Sequence, residues 1–128
     1  MIFNNKFKRN LKLEKNIAEI LKEHSLVISV AESCTGGLLS SRLTDISGSS
    51  EYIRVNFVTY SNESKKALLD VKDETLRIYG AVSEQCAREM SEGLYRKTKA
   101  DIAISTTGLA GPTGATETKP IGLMYVGI

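Results

Sequence analysis

Histidine occurs once in this chain, cysteine twice, proline twice and tryptophan not at all, within 128 residues. The single His24 sits near the end of a helix-like stretch, so a Ser-His-Asp triad has no well-placed base. Cys34 and Cys86 are too few for a disulfide framework, and no paired Cys/His spacing offers a zinc site, so the expected setting is a reducing cytosol. No apolar run approaches the roughly 18 residues of a membrane span, and the opening MIFNNKFKRN has no apolar stretch behind its charges. Charge of one sign is also scarce. The net is +2, made of a +4 segment over residues 1–15 and a slightly acidic remainder. That basic arm has five cations and no aromatic platform after it, which makes nucleic acid an unlikely partner. What is present, 41% hydrophobic and 25% charged residues, suits one domain with a buried core.

Residues 11–24, LKLEKNIAEILKEH, space Leu13, Ile17, Ile20, Leu21 and His24 by threes and fours, which predicts a helix burying that face. Leu26–Ala31 is short, β-branched and apolar on both faces, as a central strand requires. A polar turn, Glu32 to Gly37, leads into a helix over residues 38–46. Tyr52–Tyr60 reads as a second strand, and Ser61-Asn62 as a cap for the short helix that follows. A further short helix covers Asp73–Tyr79 and stops at Gly80. A longer one begins at Ser83, with Ala87, Met90 and Leu94 along one face and Cys86 packed inside. Strands over 101–107 and 121–128, joined by a Gly-rich loop, complete an α/β fold: a layered mixed sheet covered by helices. Residues 1–10 read as a basic leader and 11–128 as one domain.

Three polar strand ends carry the candidate chemistry. The turn Glu32-Ser33-Cys34-Thr35-Gly36-Gly37 stands where open α/β sheets place ligands, and free N–H groups at the next helix start would favour an anion. Ser33 and Thr35 either cap that helix or Ser33 is a nucleophile. With no second histidine, the base falls to a lysine or tyrosine, and Tyr60, Lys65 and Lys66 can reach the same sheet edge. Lys65 and Lys66 point about 100° apart on a helix, so only one faces the site. Cys34 is a rival nucleophile or a small packed residue. The third cluster, Thr106 to Gly114, has glycines that let N–H groups converge on a phosphate or oxyanion, or is a plain hairpin loop.

The segments AESCTGG (31–37), TDISGSSEY (44–52), VTYSNESK (58–65), YGAVSE (79–84) and TTGLAGPTGATETKPIG (106–122) together resemble the CinA C-terminal domain family, the nicotinamide-nucleotide amidohydrolases. The resemblance implies hydrolysis of the carboxamide of nicotinamide mononucleotide to nicotinate mononucleotide and ammonia, by a metal- and cofactor-independent serine mechanism in pyridine-nucleotide recycling. It implies Ser33 as nucleophile with Tyr60 and Lys65 assisting. Glu32, Cys34, Thr35, Gly36, Gly37, Thr107, Gly108, Ala110 and Gly111 are the implied substrate-binding set, and a homo-oligomer the implied assembly. Ala115 stands where family members usually carry a second glycine. The family's further strand, and a helix bearing a phosphate-facing Arg, are expected to be lacking. A nucleotide-binding or regulatory module without turnover is the alternative reading.

Overall fold

The computed structural model describes residues 11–128, and the basic leader expected over residues 1–10 lies outside them. Helix α1 (Lys12–Glu23) leads into strand β1 (Ile28–Glu32), followed by helix α2 (Leu38–Thr44) and a single 3-10 turn. Strand β2 (Ile53–Val58), helices α3 (Asn62–Leu69), α4 (Asp73–Ile78) and α5 (Glu84–Thr98), and strands β3 (Ile102–Gly108) and β4 (Met124–Gly127) complete the order. The caps are those their residue types favour. The Ser61 hydroxyl accepts from the Ser64 amide at the head of α3, and Ser83 accepts from Cys86 at the head of α5. Gly80, with φ of +78°, takes the left-handed turn that ends α4. No described helix is long and apolar enough to cross a membrane.

The four strands form one mixed sheet in the order β2-β1-β3-β4, the first three parallel and β4 antiparallel to β3. β1 is buried along its whole length, which explains why its sequence is apolar on both faces. Its alternate residues feed two cores. Ile28 and Val30 pack with Ala18, Leu21, Leu43 and Tyr52, under α1 and α2. Ala31 packs with Leu69, Met90 and Leu94, under α3 and α5. Each of these large apolar side chains contributes about 1.5–3 kcal/mol on burial. The parallel register places Glu32 opposite both Val58 and Thr106, so β1 and β2 end on one row beside Thr106, and β3 runs on to Gly108.

Several element readings need correction. β1 begins two residues later and ends one later than expected, α2 stops at Thr44, and β4 spans only four residues. β2 ends at Val58, so Tyr60 stands beyond the strand. The buried face of α1 is Glu14, Ala18 and Leu21, while Leu13, Ile20 and His24 are exposed. Both stripes have helical spacing. The choice turns on Glu14, whose carboxylate accepts from Arg42 Nε at 2.6 Å and so ties α1 to α2.

α5 runs against α3 at Gly93, where an added Cβ would fall on the Leu69 carbonyl. Backbone cannot yield there as a flexible side chain would. Gly93→Ala is expected to lower stability by about 3 kcal/mol, the upper part of the usual overpacking range, as read by urea unfolding.

Candidate active site

One residue past the aligned row stand Ser33 and Thr59, just beyond β1 and β2, and Thr107, still within β3. The ladder continues across them, with Ser33 N–H donating to Thr106 O at 2.9 Å and Thr59 N–H to Glu32 O at 2.7 Å. These bonds fix Ser33 at the carboxyl edge of the sheet. Directly after β2 the chain turns into α3, and the Ser61 cap sets the helix phase so that Lys65 points inward. Lys65 is 1% exposed, while Lys66 faces solvent and pairs with Asp73. The Lys65 amine lies 2.9 Å from Ser33 Oγ, 2.8 Å from Thr59 O and 3.2 Å from Tyr60 O.

Among the described residues no carboxylate pairs with Lys65. Burial therefore dominates and lowers its pKa below the ordinary lysine value. The amine donates to the two carbonyls and to Ser33 Oγ, and in its neutral form the lone pair can instead accept the Ser33 hydroxyl proton. Tyr60 contributes through its backbone carbonyl. Its side chain is 75% exposed on the cleft wall, and its phenol has no hydrogen bond to Ser33 or Lys65.

The turn after Ser33 differs from the expected anion site. The amides of Gly37, Leu39 and Ser40 at the head of α2 all donate to the Glu32 carboxylate, at 3.1, 3.0 and 2.7 Å, and the Ser40 hydroxyl donates at 2.6 Å. The chain's own carboxylate fills the place reserved for a ligand anion. Glu32 is fully buried, so its expected role in binding substrate is corrected. Burial alone would raise its pKa, but the donors on Ser40, Thr35 and Leu39 outweigh it and hold the carboxyl below the ordinary glutamate value. The Gly36 amide is taken by Ser33 O, whereas among the described residues no carbonyl takes the amides of Cys34 or Thr35. These two lie beside Ser33 and are directed at the Cys34 thiol. Cys34 is half-buried rather than packed away, and burial pushes its thiol pKa up, against a thiolate nucleophile. Cys86 is fully buried in the core.

Ser33, Cys34 and Lys65 open into a cleft of about 370 Å3. One wall is Ala81 and Val82 from the α4–α5 turn, and the other is Thr107 to Gly111 with Thr113. The Thr107 hydroxyl is committed to Ala81 O at 2.6 Å, and Lys119 reaches Tyr79 O at 2.9 Å, so the Gly-rich loop is tied to the opposite wall. Gly108 permits the crowding: a Cβ there would sit 2.6 Å from Leu123 O and 3.1 Å from Cys34 Sγ. Beyond Cys34, Leu109 and Ala110 lies a smaller apolar recess of about 170 Å3. Thr35 borders that recess, its hydroxyl 2.8 Å from Thr106 Oγ1. Gly36 and Gly37 line neither cavity. Sequence reasoning missed Thr59, Ala81 and Val82. The YGAVSE segment carried the last two, but only folding brings them opposite Ser33.

The family model for the CinA C-terminal domain matches residues 10–128. The chain belongs to the CinA C-terminal domain family. A CinA-like protein of Chloroherpeton thalassium is 56% identical over 119 residues, covering 93% of this chain and 28% of that protein. A CinA-like protein of Thermotoga neapolitana is 50% identical over 115 residues, covering 90% and 28%. The chain thus spans little more than a quarter of the length of these curated relatives. Among solved structures, the competence/damage inducible protein CihA of Agrobacterium tumefaciens superposes with a TM-score of 0.88 at 42% identity, over 91% of this chain and 70% of that one. A competence-damaged protein (CinA) superfamily protein of Escherichia coli gives 0.85 at 32% identity, over 98% and 72%. The mixed open sheet with helices on both faces is therefore the CinA-superfamily architecture.

Proposed function

We propose that this CinA-family domain is an amidohydrolase that cleaves the carboxamide of a nicotinamide nucleotide, with Ser33 as nucleophile and Lys65 as general base. The observation that carries the reading is the 2.9 Å contact between a buried lysine amine and a serine hydroxyl at the floor of a cleft. Neutral Lys65 takes the Ser33 proton as Oγ bonds to the carboxamide carbon. The resulting oxyanion is met by the amides of Cys34 and Thr35. Lys65, now an ammonium, returns the proton to the departing nitrogen as the C–N bond breaks, and ammonia leaves. Water then repeats the cycle on the acyl-enzyme, with Lys65 again accepting a proton, and frees the acid.

Two cavities meeting at Cys34, Leu109 and Ala110 suit a ligand with a planar head and an attached sugar phosphate. Among the described residues, no carbonyl takes the amides of Ala110 and Gly111, which leaves them as donors to the phosphate end. Assay of ammonia and nicotinate mononucleotide from nicotinamide mononucleotide is the direct test. Ser33→Ala is expected to lose at least about 10³-fold in kcat while still binding substrate. Turnover near that of the unsubstituted protein would sink the assignment.

Lys65 must be deprotonated to act, and its pKa is lowered in the folded protein. Activity therefore rises with pH through that lowered value and is already present below the ordinary lysine pKa. Lys65→Arg keeps a cation that never deprotonates in this range, and its expected kcat falls by about 10²–10⁴-fold at every pH from 6 to 9.

Tyr60 serves the amine by its carbonyl, which any side chain would leave in place. Tyr60→Phe is expected to cost less than the roughly 10²-fold that loss of an acid–base group brings, and to leave the pH limb where it was. A larger loss with a moved limb would restore the phenol to the proton path.

A further inference from the structure

The reaction proposed above needs Ser33 Oγ and two neighbouring amides held in fixed relation, yet they lie on a turn that ends in two glycines. Gly36 and Gly37 both have positive φ, +59° and +100°, and the N-cap of α2 offers no side-chain cap. Something other than local capping must hold the turn. Glu32 does so from beneath. Its backbone is locked into β1 between β2 and β3, and its side chain reaches forward past the turn to four donors on α2. Both ends of the Ser33–Gly36 segment are thereby anchored to one buried side chain.

We infer that Glu32 is a positioning residue for the Ser33 nucleophile and its oxyanion donors, clasping the turn without touching substrate. It absorbs the amides of Gly37, Leu39 and Ser40, so the turn presents only the Cys34 and Thr35 amides beside Ser33. Glu32 does not line the cleft, so its loss acts on the geometry of attack and not on ground-state binding. A carboxylate is required because all four partners are donors. In Glu32→Gln, one side-chain oxygen would keep its donors, while the amide NH2 would face the Gly37 and Leu39 amides in one orientation, or the Ser40 amide in the other with the Ser40 hydroxyl turned to accept, so a backbone N–H is opposed by a donor either way.

This inference rests on the serine-lysine reading, and two rates separate the failure of one from the failure of the other. The first is the rate at which a fluorophosphonate probe labels Ser33. The second is ammonia release from nicotinamide mononucleotide, with kcat per folded molecule and KM determined separately. For Glu32→Gln both the labelling rate and kcat are expected to fall about 10–100-fold, with KM within about threefold. The pH limb stays in place, because Lys65 keeps its two carbonyls. A general loosening would instead lower the folded fraction, for which the normalisation corrects. If Glu32→Gln does not fold, Ser40→Ala decides. It removes the 2.6 Å hydroxyl donor and leaves three amides, and both rates are expected to fall about two- to fivefold. Unchanged rates in the deciding variant, or a loss confined to KM, overturn the role of Glu32. A protein unlabelled at Ser33 and without turnover overturns the serine-lysine reading, and this inference with it.

Discussion

A lysine amine buried without a counter-charge is the costliest group in this fold, and much of the local structure is arranged around it. Desolvating an ammonium costs several kcal/mol even after the protein relaxes, so the amine is better neutral than paired with nothing. Neutrality in turn demands two acceptors and one donor at tetrahedral directions. Thr59 O and Tyr60 O are free to accept because β2 has already ended at Val58 and its ladder no longer claims them. Ser33 Oγ completes the set because the parallel register brings the end of β1 alongside the end of β2. Gly93 lets α5 approach α3 closely at Leu69.

The same economy governs the turn that carries the serine. A helix N-terminus has partial positive charge, which favours an anion beside it. Glu32 cancels that field locally, from a position where strong donors keep it ionised. Its charge has a second effect on Cys34, whose thiol feels the carboxylate as well as its own burial and stays protonated. Two adjacent side chains, a hydroxyl and a thiol, thus share one turn, and only the hydroxyl has a base within reach.

Much of this was legible in the sequence. The β-branched runs marked all four strands, and the Ser61 and Ser83 caps and Gly80 marked helix ends, because each depends on short-range stereochemistry. The buried face of α1 was legible only in part. Leu21 is buried and Ile17 packs against the core as their spacing suggests, but Leu13 and Ile20 stay exposed and Glu14 goes inside, where Arg42, 28 residues on, pairs with it. For the same reason the α2 N-terminus read as an open anion site: nothing in ESCTGG says that its own Glu32 folds forward to fill it. From the residues alone, Lys65 and Lys66 could be told apart only as two directions about 100° apart, and it was the family resemblance that selected Lys65. Which of them faced inward depended on where β2 stopped, and that boundary was misplaced by two residues.

The lowered lysine pKa also sets a relation between stability and chemistry. Because its pKa is lower folded than unfolded, the unfolded chain binds the proton more tightly over the interval between the two values. Stability contributed by this group therefore rises as pH climbs through that interval and is lowest below it, the reverse of a lysine that gains an ionic partner. The folded protein bears this cost where the amine would otherwise be charged, and the site gains a base whose proton affinity lies closer to neutrality. Adding a carboxylate next to Lys65 would relieve the cost and raise the pKa, and the amine would then hold its proton when Ser33 needs to give one up. In the proposed reaction, destabilisation at this residue and competence as a base have one electrostatic origin: among the described residues the amine is held by carbonyl oxygens and a hydroxyl and by no acid.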